Sequence, residues 1–390
     1  MSKLVLKICC STWENESRDK RELSVCRELG ADVLVLAKGN SEDKGRIDYV
    51  DGFEVRRYST RPLKHVPNAI NRIFSLVTWA RYAKKLKPDI ISGHDITGVL
   101  IGWMSTWFVF KKNKPLIVYD SHEFELGLSK NQKKLKWLLV CFCERFFIKR
   151  CKFSIMVNDS IAEKVRDIHR MKDSFVVVRN TPLRWELDFE KISEQRNKYA
   201  DILLTDNMFI VLYHGAIMKE RGVEQLLEAI SLVKDVQVVV LGNGEQTYLN
   251  YLRDLVVRFN IDDRVLFLSA VPLEELQAYV GAADVGVSLL QGSSENHMLA
   301  LPNKFFENIQ SLTPVIVSDF PEIGKMVDKY EIGIKVAPDS PEQIADAILK
   351  LKNDKLFYES CKKNLLFAKE ELCWENEKDK LKSAYEVIID

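Results

Sequence analysis

The sequence predicts an α/β protein built as two consecutive doubly wound units, each a parallel sheet covered by helices. Three observations carry that prediction. Short β-rich runs alternate with longer helical patterns along nearly the whole chain, which is how buried parallel strands and their crossover helices read. The alternation is interrupted once, over 186–206, and then restarts. Charge divides near the same point: residues 1–185 carry 35 Lys and Arg against 21 Asp and Glu, a net +14, and the remainder carries 22 against 35, a net −13. A chain of 390 residues has room for two cores, and charge asymmetry between halves marks separate domains.

The first half opens on the strand "LVLKICC" (4–10). A helical pattern over 18–30 stops at Gly30, and "ADVLVLAKG" (31–39) is strand again. "FEVRRYS", the helix "NAINRIFSLVTWARYAKKL", the strand "DIISGHD", a helix over 97–110 and the strand "PLIVYDSHE" follow. A helix over 131–150, "FSIMVND", "SIAEKVRDIH" and "FVVVRNTP" complete the half. Residues 185–206 lack a clear strand and read as a connector. In the second half the strands are "FIVLYHGA", "VQVVVLG", "RVLFLSA", "VGVSLL", "TPVIVSD" and "GIKVAP". The helices fall at 222–233, 246–259, 273–282, 304–311, 321–329 and 341–352, and the amphipathic "CWENEKDKLKSAYEVIID" closes the chain with no strand after it.

Composition excludes several classes. The hydrophobic fraction of 46% and charged fraction of 29% are those of a globular protein. Eight cysteines show no C-x-x-C spacing and several sit in apolar runs, which favours reduced thiols and a cytoplasmic setting over a disulfide framework. The first apolar run is too short and broken for a signal peptide, and the longest uncharged run, 96–110, has 15 residues, short of a membrane span.

Ligands of parallel sheets lie beyond the carboxyl ends of the strands, so the residues after strands deserve most weight. After "FIVLYHG", Gly215 and Gly222 bracket a strand-to-helix loop and Arg221 stands at the helix start. Such a tip attracts phosphate and an arginine adds matching donors; a capped helix with a solvated arginine fits equally well. In "LALPNKFFENIQSLTPVIVSD", Asn303 can cap a helix that carries Lys304 and Glu307 on one face. A lysine at a helix start is poorly matched to the macrodipole unless an anion is near. The alternative is a surface ion pair, against which the buried flanks argue.

These stretches, with "VVVLGNGE", "RVLFLSAVPLEEL" and "AADVGVSLL" between them, resemble in order and rough spacing the retaining GT-B glycosyltransferases of the large family numbered four, in its "LPNK" form. "ESRDKRELSVCRELGADVLVL", "KPDIISGHDITG", "PLIVYDSHE" and "VVVRNTP" are similar to the acceptor domain of that family, and the final helix to its closing helix. The resemblance implies two Rossmann-like domains facing a central cleft: an acceptor domain over 1–185, a connector over 186–206, a nucleotide-sugar domain over 207–368, and a helix over 369–390 returning to the first domain. It implies Arg221 and Lys304 on a donor diphosphate, Glu307 on the ribose, and Gly215, Gly242 and Asn303 at the donor, with Phe267 and Leu268 where the base lies. Two departures stand out, the first leaving one cation fewer and the second removing a carboxylate that touches sugar hydroxyls. Ala216 stands where many members have arginine, and Leu299 where many have a carboxylate, with Glu295 near but out of register.

The "HD" position of the family contacts acceptor and sugar, which makes His94 the first catalytic candidate and His122, in "DSHE", the second; a structural role for either remains open. No D-x-D occurs, so no metal and no cofactor is expected, and Arg221 and Lys304 would neutralise the leaving group. Residues 130–152 hold eight basic residues, one acid and a Trp/Phe/Leu/Val face; this reads as peripheral contact with an anionic membrane or as a core helix with ordinary lysines. The expected function is a hexosyltransferase moving a sugar from a UDP- or GDP-type donor to a glycan or lipid-linked acceptor in cell-surface polysaccharide synthesis. A nucleotide-sugar epimerase or hydrolase, or a non-catalytic subunit, are the alternatives. The basic excess lacks clustered aromatic platforms, so nucleic acid is not expected.

Overall fold

The computed structural model describes residues 2–14, 16–40, 42–61, 63, 66–107, 114–128, 134–171, 175–203 and 209–390. The chain divides into two compact units, one running to Arg179 and resuming at Glu377, the other covering Asn180–Asn376.

The first unit holds an eight-stranded sheet. Its strands are β1 (Leu4–Cys9), β2 (Asp32–Gly39), β3 (Lys44–Val50), β4 (Phe53–Ser59), β5 (Ile90–His94), β6 (Leu116–Asp120), β7 (Phe153–Met156) and β8 (Val176–Val177), in the order β3-β4-β2-β1-β5-β6-β7-β8. All pairings are parallel except β3 with β4. Leu6, Ile8, Leu34, Leu36, Ile91 and Trp79 form one core cluster over the sheet, and each such side chain contributes about 1.5–3 kcal/mol of transfer free energy. The helix Trp374–Ile389 belongs to this unit from Glu377 onward; Tyr385 donates to Glu22 and Lys378 pairs with Glu28 at 2.7 Å.

The second unit holds six parallel strands, β9 (Ile210–His214), β10 (Gln237–Leu241), β11 (Val265–Leu268), β12 (Val285–Ser288), β13 (Val315–Ser318) and β14 (Gly333–Val336), in the order β11-β10-β9-β12-β13-β14. Chain order reverses between β9 and β12, and that reversal is where doubly wound sheets open a ligand crevice. Val211, Val238, Val240, Leu226, Ile230 and Ile348 fill one side of the sheet.

Some elements differ from expectation. The antiparallel β3 was not foreseen, although Asp51 and Gly52, both at positive φ, form the Asp-Gly hairpin turn that joins it to β4. Within 186–206, expected to be a connector, Phe189–Leu203 is a helix of the second unit whose Tyr199 is fully buried and donates to Tyr279 O. Two helices were missed, the short Glu295–Leu299 and Lys355–Glu371. Residues 108–110 of the expected helix 97–110, and 131–133 of the expected helix 131–150, lie outside the described residues; the observed helices are Asp95–Ser105 and Lys134–Ile148.

Candidate functional site

At the reversal point of the second sheet, β9 ends in Tyr213–His214 and turns at Gly215, whose φ of 110° favours glycine. Lys304 opens the helix Asn303–Gln310 that follows from the β12 side. Its side chain comes back over Gly215: a Cβ there would lie 3.7 Å from Lys304 Cε. The Lys304 ammonium rests 3.7 Å from the centroid of the Tyr213 ring and has no ion pair or hydrogen bond among the described residues. Lys304 is 9% exposed. Burial first, then the charge of Arg221, push its pKa down to about 7, with Glu307 opposing. Arg221 precedes Gly222, the N-cap residue of the helix Val223–Ser231. The structure thus brings Gly215, Arg221, Lys304 and Glu307 into one neighbourhood.

Glu307 is not the partner of Lys304. Its Oε2 lies 3.0 Å from Nε2 of the buried His214, a residue that sequence reading passed over although it immediately precedes Gly215. His214 Nδ1 is buried without a partner. Asn303 does not cap its helix: Pro302 takes the N-cap position without a side-chain hydrogen bond, and Asn303 Oδ1 accepts from Asn180 Nδ2 at 2.8 Å. The proline at 302 displaces the cap because it fixes the extended entry to the helix.

Gly242 is a packing glycine. A Cβ on it would meet the Gly215 carbonyl oxygen at 1.8 Å, so the turns after β9 and β10 can touch only without a side chain there. Gly242 N–H donates to Leu268 O at 2.9 Å, which joins this turn to the end of β11. Phe267, by contrast, packs against the core with Arg253 over its ring at 5.6 Å. Its ring is partly buried there, as is the side chain of Leu268. A groove of about 1030 Å³ is lined by 216–219, 243–245, Tyr248 and Tyr251; neither Arg221 nor Lys304 is on its wall. Of the two departures noted above, Ala216 accepts a 2.6 Å hydrogen bond from the Tyr213 hydroxyl through its carbonyl, and Leu299 ends the helix Glu295–Leu299.

The strand ends of the first unit carry a buried charge network. Lys7, fully buried on β1, lies 2.9 Å from Asp19, 2.5 Å from Glu22 and 2.9 Å from Asp120, and Arg18 pairs with Asp120 at 3.0 Å. His94 and His122 stack at 3.6 Å between ring centroids. His94 Nδ1 is 2.8 Å from Asp19 and its Nε2 is 3.4 Å from Asp95. His122 Nε2 sits between Asp19 at 3.0 Å and Asp120 at 2.8 Å, while its Nδ1 has no partner among the described residues. Burial opposes charge on His122, but Asp120 and Asp19 outweigh it and raise its pKa to about 9; His94 is raised further, burial again being overcome by Asp19 and Asp95. His94, first choice from the sequence, has both ring nitrogens occupied, and His122 has the open one. Lys7 was the missed signal: a lone lysine inside an apolar parallel strand requires buried counter-charge.

Among the described residues two groups bring metal-ligating atoms within 4.8 Å of one another: Cys9, Glu16, Asp19 and His94, and Asp19, Asp120 and His122. Both include Asp19, whose carboxylate already meets the Lys7 ammonium. No described helix is long and apolar enough to cross a membrane.

Residues 209–354 match the family model described as Glycosyl transferases group 1, and residues 23–181 that of the Glycosyl transferase 4-like domain. An uncharacterized glycosyltransferase of Methanocaldococcus jannaschii is 26% identical over 426 residues, spanning 99% of either chain. The capsular polysaccharide biosynthesis glycosyltransferase CapM of Staphylococcus aureus is 23% identical over 80% of each. Among solved structures, HepE of Anabaena in complex with UDP aligns with a TM-score of 0.72 at 14% identity, covering 98% of this chain and 99% of that one. The fold is GT-B: two Rossmann-like α/β domains with a C-terminal helix.

Proposed function

We propose that this chain, a glycosyltransferase joining a 4-like domain to a group 1 domain, moves a hexose-type sugar from a nucleotide diphosphate to a glycan or lipid-linked acceptor with retention of configuration. The observation that carries this reading is Lys304, a buried ammonium at the reversal point of the sheet that makes no ion pair among the described residues. Burying an unpaired charge is costly, and a bound diphosphate removes the cost. The UDP complex of a structural neighbour supports such a donor, and the name of the capsular relative supports a polysaccharide product.

In this reading Lys304 and Arg221 hold the diphosphate, and Gly215 leaves room for it beside the backbone. The Glu307 carboxylate, steadied by His214, accepts from the ribose hydroxyls. As the sugar–phosphate bond breaks, charge accumulates on the leaving phosphate and the two cations meet it, a preorganised electrostatic effect. They fill the role that a carboxylate-held divalent cation fills in other glycosyltransferases. The departing phosphate takes the proton of the acceptor hydroxyl on the same face. In the first domain, His122 offers its open Nδ1 to the acceptor.

Peripheral membrane contact belongs to the same reading. On the helix Lys134–Ile148, Leu135, Leu138, Leu139 and Phe142 recur at helical spacing and are 80%, 49%, 63% and 69% exposed. Lys134, Lys136 and Arg145 flank them and are exposed, as on helices that lie in an anionic interface. Residues 130–133 of the basic stretch lie outside the described residues.

Thermal shifts with UDP, GDP and ADP and their sugar conjugates test the donor, because binding raises apparent stability. Lys304→Ala and Glu307→Ala are expected to abolish transfer while leaving the fold intact; undiminished turnover in either contradicts the site. Donor incubated without acceptor should release little free sugar and no epimer.

A further inference from the structure

We propose that His297 accepts a hydrogen bond at its Nε2 from the sugar of the donor, an inference that rests on the transferase reading above. Residues 289–302 lead from the end of β12 to the helix that Lys304 opens. At the start of this segment, a Cβ on Gly222, next to Arg221, would lie 2.2 Å from Leu289 O. Two hydrogen bonds then hold the segment to Glu220, the other neighbour of Arg221: Gln291 N–H donates to Glu220 O at 3.0 Å, and the Ser293 hydroxyl donates to Glu220 Oε2 at 2.7 Å. One segment thus touches the turn carrying Arg221 and leads into the helix carrying Lys304. A sugar bonded to a phosphate held by both cations has this segment beside it.

The hydrogen bonds fix which nitrogen of His297 carries the proton. A carboxylate only accepts, so the one Ser293 hydroxyl proton goes to Glu220 and Ser293 Oγ is left to accept. His297 Nδ1 lies 2.9 Å from that oxygen and 3.3 Å from Gln291 O. Both of its neighbours are acceptors, so Nδ1 holds the hydrogen. Nε2 has no partner among the described residues, and in the neutral ring it is a lone pair. The chain from His297 Nδ1–H through the Ser293 hydroxyl ends on the Glu220 carboxylate, which polarises each bond and makes Nε2 the better acceptor. Glu220 itself sits at φ of 67°, a left-handed conformation that persists only where surrounding contacts impose it. Here Gln291 and Ser293 impose it.

The other polar side chains of the segment are engaged or turned inward. Gln291 Nε2 donates to Leu289 O at 3.1 Å and to Pro338 O at 2.8 Å. Ser294, the N-cap of the helix Glu295–Leu299, accepts from His297 N–H, and Ser294 and Asn296 are 5% and 9% exposed. Glu295 and Asn296 already have partners. His297 is left with an open ring nitrogen. The ligand class follows from a lone-pair acceptor: a donor whose sugar points an O–H or N–H at this loop, since a deoxy position there has nothing to give.

The test compares, by calorimetry, each parent nucleotide with its sugar conjugates, UDP with UDP-glucose, UDP-galactose and UDP-N-acetylglucosamine, and GDP with GDP-mannose. The proteins are the native chain, His297→Asn and His297→Gln. The asparagine amide keeps a donor near the Nδ1 position, and with it the bonds to Ser293 and Gln291, but leaves nothing at Nε2; the glutamine does the reverse. At least one conjugate is expected to bind the native chain more tightly than its parent nucleotide. His297→Asn should lower that gain by about fivefold, on the scale of one hydrogen bond, His297→Gln should keep part of it, and the parent nucleotide should bind all three proteins alike. Deoxy forms of that conjugate, taken one position at a time, close a cycle: one position is expected to cost the native chain the same factor and His297→Asn nothing. A gain retained in His297→Asn, or deoxy costs that persist in it at every position, would show that His297 only fastens the loop and would overturn the proposal. So would a native chain to which no conjugate binds better than its nucleotide. In each of those cases nucleotide binding survives and the donor reading stands; if no nucleoside diphosphate binds the native chain, that reading falls and takes the inference with it.

Discussion

Lys304 is held where the empty protein is least suited to a cation. Its pKa near 7 lies below the 10.5 of an unfolded lysine. Between those values the unfolded chain holds more protons, so the stability of the empty protein should rise as pH climbs from about 7 toward 10.5. Binding should run the other way, because a diphosphate needs the ammonium: affinity for UDP should fall above about pH 7, and calorimetry at pH 8 in buffers of different ionisation enthalpy should show proton uptake. Lys304→Met is expected to stabilise the empty protein by about 1–3 kcal/mol, as when buried charge gives way to packed hydrophobe, to flatten that pH dependence and to lose UDP. Denaturant melts across pH read all three. Asp19 has the opposite character, since it joins Lys7, His94 and His122. Asp19→Asn should destabilise by about 3–5 kcal/mol, the cost of leaving buried charges unpartnered, and a small loss in denaturant melts would contradict the network. At this scale the sequence was partly legible. Lys304 and Glu307 stood out by their spacing, but that Glu307 answers to His214 rather than to Lys304 depends on how β9 lies beside the helix Asn303–Gln310, which no local pattern records.

The elements were more legible than their joints. Parallel strands buried on both faces read as continuous apolar runs, and all six strands of the second sheet lie where such runs predict. The hairpin β3–β4 escaped because Lys44–Val50 is an exposed edge strand with little apolar signal, although its Asp-Gly turn was in plain view. Joints are set by close approach. Gly222 combines φ of 80° with a Cβ position 2.2 Å from Leu289 O, so Gly222→Ala should cost about 2–4 kcal/mol from strain and overpacking and shift the helix start that follows Arg221. A melt within 1 kcal/mol of the native protein would contradict this account of the turn. The helix Lys134–Ile148 yields a separate expectation: Leu139→Glu/Phe142→Glu should weaken flotation with anionic vesicles while leaving the melting temperature unchanged, because both side chains are exposed. Unaltered flotation would return that helix to an ordinary surface role.

For the whole molecule, charge divides at 185 in the sequence, and the two compact units divide between Arg179 and Asn180, the first resuming at Glu377. The helix Phe189–Leu203 was mistaken for a connector because only packing against the second sheet gives it a place. Strand order 3-2-1-4-5-6 in the second unit, counted from β9, locates the reversal point without reference to any relative, and Gly215, Arg221, Lys304 and Glu307 gather there, whereas the partly buried Phe267 packs against the core and Asn303 does not cap. The central claim, that Arg221 and Lys304 exist to hold a diphosphate, is tested most directly by calorimetric titration of UDP, GDP and ADP into the native chain and the Lys304→Met variant at pH 7. The account expects at least one nucleoside diphosphate to bind the native chain with proton uptake and to lose about a hundredfold or more in affinity in the variant, the scale of two charged hydrogen bonds; equal binding to both proteins, or none to either, would contradict it.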